Sequence, residues 1–168
     1  LVPWETSRLG VFAALNPIMP GPQQFSLAHP QPLQVLHHGQ PRVLLVEDNI
    51  VNQKVAARTL QKDDHSVTLA GDGKSALKFF ADGTFDLILM DVQMPEMNGL
   101  TATEKIREAE EGTGRHIPII ALTAHAMKGD RERCLDVGMD GYVSKPIRTE
   151  ELQAGVRALD RVLRAERF

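Results

Sequence analysis

The sequence predicts an α/β fold in which helices cover both faces of a parallel, five-stranded sheet. Short apolar runs such as Val43 to Val46 alternate with segments whose apolar residues recur at helical spacing. A run that is apolar throughout is typical of a strand buried on both faces, as the strands of parallel sheets are. The alternation repeats five times between residues 41 and 165, which favours parallel strands joined by right-handed crossover helices.

Each predicted element follows from local residues. The predicted strands are Val43 to Val46, Val67 to Ala70, Leu87 to Met90, Ile117 to Leu122 and Tyr142-Val143. The predicted helices carry, in order, Val51, Val55, Ala56 and Leu60; Ala76, Leu77 and Phe80; Leu100 and Ile106; Met127, Cys134 and Leu135; and Leu152, Val156, Leu159 and Leu163. Asn49 is placed to cap the first helix, and the third helix is predicted to end near Gly112. The common strand order for such a sheet is 2-1-3-4-5, with a switch point between strands 1 and 3.

The bulk properties exclude several classes of protein. A net charge of −3 gives no reason to expect a nucleic-acid partner, and the basic residues of the last helix alternate with acidic ones. The one cysteine, Cys134, excludes an intramolecular disulfide and is typical of a small buried hydrophobic residue. The apolar runs are far shorter than the roughly 18 residues of a membrane span. We therefore predict a cytoplasmic region without membrane contact, whether or not a parent protein is membrane-anchored.

The first 40 residues differ in composition from the rest of the chain. Six of the ten prolines lie there, with only two formal charges, Glu5 and Arg8. Proline removes backbone donors and disfavours helix, so we interpret residues 1 to 40 as a Pro-rich linker and residues 41 to 168 as the folded domain. A docking peptide that uses Trp4 and Phe12 is the alternative left open. The chain begins with Leu1, which is typical of a fragment or a processed product.

Acidic residues follow the first and third strands, where the predicted switch point lies. Glu47 and Asp48 follow strand 1, and Asp91 follows strand 3. Two unit charges ~4 Å apart repel by about 4 kcal/mol at an effective dielectric near 20. Clustered carboxylates therefore favour a bound cation, and a few oxygen ligands with open water positions suit Mg²⁺. The sequence predicts a metal site with room for a phosphate.

The other two strand ends at this edge carry complementary groups. Thr123 ends strand 4 and offers a hydroxyl, and Lys145 follows strand 5. A lysine at the rim of an acidic crevice can pair with a carboxylate or with an incoming phosphoryl oxygen. From the residues alone, a structural salt bridge and a role in binding phosphate are equally good interpretations of Lys145.

These motifs together resemble the receiver domain of two-component response regulators. The matching stretches are LLVEDN, LILMDVQMPEMNG, IIALTAHA and GYVSKPI, which occur in the order that the family has. The resemblance covers roughly residues 41 to 165 and is strongest to the C-terminal receivers of hybrid sensor histidine kinases. It implies a CheY-like, flavodoxin-like doubly wound fold with the order 2-1-3-4-5.

The resemblance implies a role for each residue of the acidic crevice. Asp91 is the phosphoacceptor nucleophile. Glu47 and Asp48 hold Mg²⁺ together with Asp91 and the backbone carbonyl of Gln93. Lys145 pairs with the phosphoryl group. A carboxylate attacking phosphorus in line, with Mg²⁺ and lysine neutralising charge, is consistent chemistry and produces an acyl phosphate.

The resemblance also implies a conformational switch. Thr123 donates its hydroxyl to a phosphoryl oxygen after the reaction, and the aromatic ring of Tyr142 then moves inward. The bond between Lys145 and Pro146 is expected to be cis and to direct the ammonium inward.

The implied partners are proteins that carry phosphohistidine. They are the dimerisation and phosphotransfer domain of a histidine kinase and a separate histidine phosphotransfer protein. The sequence leaves two contexts open: the C-terminal part of a hybrid kinase, or a stand-alone response regulator that signals by protein–protein contact. It also leaves open whether the parent chain is itself a kinase, because this region only catalyses its own phosphorylation.

Three rival functions fit the sequence less well. A phosphatase of the haloacid dehalogenase type needs a second Asp two residues after the nucleophile, where this chain has Gln93. The stretch His125-Ala126-Met127-Lys128-Gly129 mimics a histidine phosphotransfer motif, but that motif lies mid-helix and His125 follows a strand. A module that is never phosphorylated is not expected to keep every acidic residue and Lys145.

Overall fold

The computed structural model of the chain describes residues 39–125 and 127–165. Within them lie five strands: β1 (Arg42–Val46), β2 (Ser66–Ala70), β3 (Leu87–Asp91), β4 (Ile119–Thr123) and β5 (Gly141–Ser144). Five helices alternate with them: α1 (Ile50–Lys62), α2 (Gly73–Asp82), α3 (Gly99–Glu110), α4 (Lys128–Asp136) and α5 (Thr149–Ala165). Apart from Gly39 and Gln40, the predicted linker lies outside the described residues, so both interpretations of it stay predictions.

The strands form one parallel sheet in the order β2-β1-β3-β4-β5, which confirms the predicted topology. The register places Val46 of β1 beside Met90 of β3 and beside Ala70 of β2. The residues that follow Val46 and Met90 therefore emerge at the same edge of the sheet. Since β1 and β3 are neighbours although they are not consecutive, this edge contains the switch point.

Alternate residues of each central strand enter two separate cores. Leu44 and Val46 pack with one cluster of buried residues, which includes Ile106 of α3 and Cys134 of α4. Val43 and Leu45 pack with another, which includes Leu60, Leu152 and Val156 of α1 and α5. A strand with helices on both faces has no polar face, which explains why β1 is apolar from Val43 onwards.

Helix α1 has the predicted position, but two of the apolar residues that predicted it face solvent. The side chain of Asn49 accepts hydrogen bonds from the backbone of Val51 and Asn52 and caps the helix as expected. Val51 is 68% exposed, whereas Leu60 is 2% exposed. Nine residues at about 100° per residue place these two side chains on opposite faces of the helix. The apolar residues at the start of α1 therefore form an exposed surface.

Two other sequence boundaries differ from the structure. β4 begins at Ile119 and not at Ile117, because the backbone N–H of Ile117 donates to Glu110 Oε1 at 2.6 Å and makes no ladder bond. In α4, Leu135 is 47% exposed and Cys134 supplies the buried contact. The predicted helix includes Met127, whereas α4 begins at Lys128 and Met127 is its N-cap.

Gly99, the first residue of α3, permits close packing beneath the candidate site. A Cβ at Gly99 would overlap the backbone oxygen of Asp91 and lie 2.9 Å from the side chain of Met90. We expect Gly99→Ala to lower the free energy of unfolding by about 1–3 kcal/mol, because the backbone of β3 or α3 must shift. Urea denaturation measures this change.

The matched control is Gly129→Ala in α4, where an added Cβ meets no atom within 4 Å. Alanine is the better helix former, so this variant should be as stable as the parent or up to about 1 kcal/mol more stable. Equal effects of the two substitutions would contradict the role assigned to Gly99.

Candidate functional site

Three acidic residues meet at the carboxyl edge of the sheet. Asp91 is the last residue of β3, and Glu47 and Asp48 follow β1 directly. One carboxylate oxygen of each lies within 4.8 Å of the others. Glu47 and Asp91 are buried, with relative exposures of 0% and 1%, and Asp48 is exposed. The site thus combines two carboxylates in the protein interior with one that faces solvent.

Residues of the first turn of α1 hold Glu47 in place. Its Oε1 accepts hydrogen bonds from the backbone N–H of Asn49 and from Asn52 Nδ2, both at 3.2 Å. Gln53 Nε2 donates to the backbone oxygen of Glu47 at 2.6 Å. Neither Asn52 nor Gln53 was predicted to be part of the site. Their proximity to Glu47 in EDNIVNQ was the available signal. When a helix starts directly after a strand, the side chains of its first turn lie next to the residues at the end of that strand.

Lys145 lies between the two buried carboxylates. Its Nζ is 2.9 Å from Glu47 Oε2 and 2.8 Å from Asp91 Oδ2. The bond between Lys145 and Pro146 is cis, as expected from the sequence. The backbone N–H of Lys145 donates to the backbone oxygen of Thr123 at 2.7 Å, which fixes the loop after β5 against the end of β4. One ammonium therefore contacts both buried carboxylates.

The protonation equilibria follow from this crowding. Burial raises the pKa of Asp91 to about 6, and the negative charge of Glu47 acts in the same direction. The ammonium of Lys145 and the backbone N–H of Gln93 oppose this shift without cancelling it. Burial alone would lower the pKa of Lys145, but the contacts with Asp91 and Glu47 outweigh burial and raise it. The site carries more negative charge than its one lysine neutralises.

The oxygens present fit a hard divalent cation. Among the described residues, the buried atoms Glu47 Oε2 and Asp91 Oδ2 contact the Lys145 ammonium and accept no other hydrogen bond. Exposed Asp48 leaves one side of the cluster open to water, and Mg²⁺ usually retains several waters. The backbone N–H of Gln93 donates to Asp91 Oδ1 at 3.0 Å, which places Gln93 beside the cluster. Its carbonyl stays a predicted ligand.

Thr123 and Tyr142 lie on the neighbouring strands β4 and β5. Thr123 Oγ1 donates to the backbone oxygen of His125 at 3.0 Å and accepts from the backbone N–H of His125 at 3.1 Å. Tyr142 pairs in register with Ala121 and is 39% exposed, so its ring faces outward. His125 is exposed in the loop after β4, outside any helix. This position agrees with the prediction that it is not the mid-helix histidine of a phosphotransfer domain.

The raised pKa of Asp91 predicts a pH-dependent effect of Asp91→Asn in EDTA. The folded state binds the Asp91 proton more tightly, because its pKa rises from 3.8 to about 6 on folding. Proton binding by Asp91 therefore adds most to the free energy of unfolding below pH 3.8, and this contribution is lost as the pH rises towards 6. The melting temperature of the variant minus that of the parent should be more positive at pH 7 than at pH 4.5.

The control for this comparison is Asp82→Asn, at an exposed position at the end of α2. Its melting difference from the parent should show no comparable change between the two pH values. If the Asp91 difference were also independent of pH, the buried carboxyl would not have the raised pKa described above.

The fold and the acidic edge place the chain in the CheY-like class of α/β proteins. The chain belongs to the response regulator receiver domain family, whose pattern matches residues 43–157. It is a receiver domain of the two-component phosphorelay type, homologous to the receivers of hybrid histidine kinases. No helix among the described residues is both long and apolar enough to cross a membrane.

The curated relatives are much longer proteins. The chain is 52% identical over 111 residues to hybrid signal transduction histidine kinase I of Dictyostelium discoideum, an alignment that covers 63% of this chain and 6% of that protein. It is 43% identical over 139 residues to histidine kinase 1 of Arabidopsis thaliana, covering 63% and 12%. The chain thus spans only a small part of the relatives it matches.

Two solved structures are similar in both fold and sequence. One is the receiver domain of a sensor histidine kinase from Pseudomonas aeruginosa, 45% identical with a TM-score of 0.64, covering 73% of this chain and 97% of that one. It holds a magnesium ion in its active-site cleft. The other is a Saccharomyces cerevisiae receiver domain in complex with a histidine phosphotransfer protein, 33% identical with a TM-score of 0.63, covering 68% and 85%.

Proposed function

We propose that Asp91 accepts a phosphoryl group from a phosphohistidine in a reaction that requires Mg²⁺. The observation that carries this proposal is the pair of buried carboxylates, Glu47 and Asp91, whose Oε2 and Oδ2 atoms lie 2.9 and 2.8 Å from the one ammonium of Lys145 and accept no other hydrogen bond. Such a cluster attracts a cation, and an oxygen of Asp91 becomes available as a nucleophile when Lys145 turns from it to the phosphoryl group. Glu47, Asp48, Asp91 and the carbonyl of Gln93 would hold the ion.

The residues of the chain have distinct tasks in this reaction. A carboxylate oxygen of Asp91 forms a bond to phosphorus while the bond from phosphorus to the histidine nitrogen breaks, and the nitrogen keeps that electron pair. Mg²⁺ held by the acidic residues would supply positive charge to the transferred oxygens. Lys145 exchanges a carboxylate contact for a phosphoryl oxygen, and Thr123 donates its hydroxyl to another. Asp91 and Thr123 end strands and Lys145 follows one, so the backbone that carries these groups is fixed and only their side chains turn when the phosphoryl group arrives.

The phosphodonor also needs a surface on which to dock. Ile50, Val51 and Val55 of α1 are 63%, 68% and 41% exposed, and they begin two residues after Asp48. A protein that presents a histidine to Asp91 must contact the surface beside the acidic cluster. Exposed apolar residues on that surface indicate an interaction site. We propose that a helical phosphotransfer protein or kinase domain packs on these three residues, which we call the α1 patch. The complex of the yeast receiver supports such a partner.

The docking proposal predicts a selective defect for Val51→Lys. Phosphoryl transfer from a phosphorylated histidine phosphotransfer protein should slow by about tenfold or more, because a lysine in an apolar contact removes a central anchor. Phosphorylation by acetyl phosphate should continue at the parent rate, because a small donor needs no docking surface. Both rates are measured by following radiolabelled phosphate.

The matched control is Leu135→Lys, another exposed apolar residue on a different helix. It should leave transfer from the protein donor unchanged. If Val51→Lys also left that rate unchanged, the α1 patch would not be the docking surface. If Asp91→Asn still accepted label from the protein donor, the proposed function itself would be wrong.

We also propose that this receiver is carried by a hybrid sensor histidine kinase in the cytoplasm, with residues 1 to 40 as a tether and 41 to 168 as the receiver. The curated relatives support this context. A flexible tether gives an effective concentration in the millimolar range, which favours transfer from a histidine of the same protein or its dimer partner. A full-length gene without a kinase core would favour the stand-alone regulator instead.

A further inference from the structure

Tyr142 has a contact that the proposed function does not use. The guanidinium carbon of Arg131, on α4, lies 5.1 Å from the centroid of the Tyr142 ring. This distance is typical of a cation–π interaction. Arg131 forms no salt bridge with any carboxylate in the part of the chain that the structure describes. The ring is therefore the main charge-related contact of this arginine.

The helix that carries Arg131 is only lightly attached to the domain. Cys134 is its buried residue, and its N-cap, Met127, provides no side-chain hydrogen bond and is 72% exposed. A cavity of about 500 Å³ lies beside Thr123 and Cys134 and is also lined by Asp130 and Arg133, so α4 has open space on one side. An element with few buried contacts moves at low cost, so a single contact to β5 can bias its position.

We propose that Arg131 is a positioning residue that holds the Tyr142 ring outward and so opposes the activated state of the receiver. This inference rests on the proposed function, in which Thr123 turns its hydroxyl to the phosphoryl group. That movement breaks the two contacts between Thr123 Oγ1 and the His125 backbone and makes room for the ring. When the ring moves inward it leaves Arg131, so the cation–π contact stabilises the outward state alone. A contact that is made in only one of two states changes the free-energy difference between them by the free energy of that contact.

The expected size of the effect is modest and measurable. An exposed cation–π contact changes an equilibrium by about two- to fivefold. Removing it should therefore raise the apparent affinity for a phosphoryl analogue by about two- to fivefold. The reason is that less of the binding free energy of the analogue is needed to break the contact between the ring and Arg131. A merely structural role of Arg131 would lower stability and leave this affinity unchanged.

The test uses the full chain with its tyrosine replaced by 3-fluorotyrosine. The chain has one tyrosine, so the protein gives one fluorine signal, and it reports the environment of Tyr142. Beryllofluoride with Mg²⁺ is titrated into the parent, Arg131→Gln and Arg131→Lys, and into Arg133→Gln as a control on the same helix. The side chain of Arg133 is 69% exposed and its guanidinium lies 4.0 Å from Asp130, so this control removes a charge from α4 at a position largely in solvent.

We expect Arg131→Gln to bind beryllofluoride about two- to fivefold more tightly and to shift the free-state fluorine signal towards the saturated position. Arg131→Lys keeps the cation and should fall between this variant and the parent, and Arg133→Gln should match the parent. An affinity for Arg131→Gln equal to or weaker than that of the parent would overturn the proposal. A fluorine signal that does not move when the parent is saturated would do the same and leave the proposed function intact. If beryllofluoride failed to bind the parent at all, the proposed function and this inference would both be wrong.

Discussion

Asp91→Asn should lose all labelling by acetyl phosphate, and EDTA should have the same effect on the parent. The amide oxygen of asparagine is a far weaker nucleophile than a carboxylate, and Asp91 is the acid at the centre of the buried cluster. Without Mg²⁺, the phosphoryl oxygens would approach the negative charges of Glu47 and Asp91 with only Lys145 to balance them. The measurement is the stoichiometry of radiolabel on the intact chain.

Two further variants make this result specific. Asp48→Asn, at the exposed member of the cluster, should increase the Mg²⁺ concentration needed for half-maximal labelling and leave Asp91 competent at high Mg²⁺. Asp82→Asn, exposed at the end of α2, should behave as the parent. Labelling of Asp91→Asn with unchanged stoichiometry would contradict the assignment of the phosphoacceptor.

Lys145→Gln should combine a large loss of stability with a large loss of rate. Removing one partner of a buried ion pair typically costs about 3–5 kcal/mol, and here two buried carboxylates lose their shared cation. The initial rate of labelling should fall by about 100-fold, because one removed group that stabilises the transition state typically costs 10²–10³ in rate. Chemical denaturation and radiolabelling measure the two effects.

Mg²⁺ should restore much of the stability that Lys145→Gln loses, because the ion supplies the missing positive charge to Glu47 and Asp91. It should restore little of the rate, since the ammonium is still missing from the phosphoryl group. Lys128→Gln, at the exposed first residue of α4, is the matched control and should resemble the parent. If Mg²⁺ gave Lys145→Gln no more stability than it gives the parent, the carboxylates would not be the metal ligands.

The topology of the sheet could be predicted because its central strands are buried on both faces. Val43 to Val46 and Leu87 to Met90 are apolar without interruption, and no other element accommodates such short runs so readily. The start of β4 could not be predicted, since Ile117 is as apolar as the strand itself. A hydrogen bond to Glu110, seven residues earlier in the chain, keeps it out of the ladder. Such tertiary contacts leave no local pattern.

The acidic cluster could be predicted from strand ends alone, since parallel strands bring their carboxyl ends to one edge. The supporting side chains could not. The hydrogen bond from Asn52 to Glu47 depends on the first turn of α1 returning to the site, and the contact between Arg131 and Tyr142 depends on how α4 packs beside β5. The exposure of Val51 could not be predicted either. Helical spacing shows that a helix has an apolar face but does not show which residues contact the sheet.

Borohydride reduction tests most directly whether Asp91 carries the phosphoryl group. An aspartyl phosphate is an acyl phosphate, and borohydride reduces it to homoserine, which marks the position permanently. The chain is incubated with acetyl phosphate and Mg²⁺, reduced, digested and mapped by mass spectrometry. The structure predicts homoserine at position 91, and its disappearance when EDTA is present. Homoserine at position 48 instead, or a labelled chain without any homoserine, would contradict the assignment.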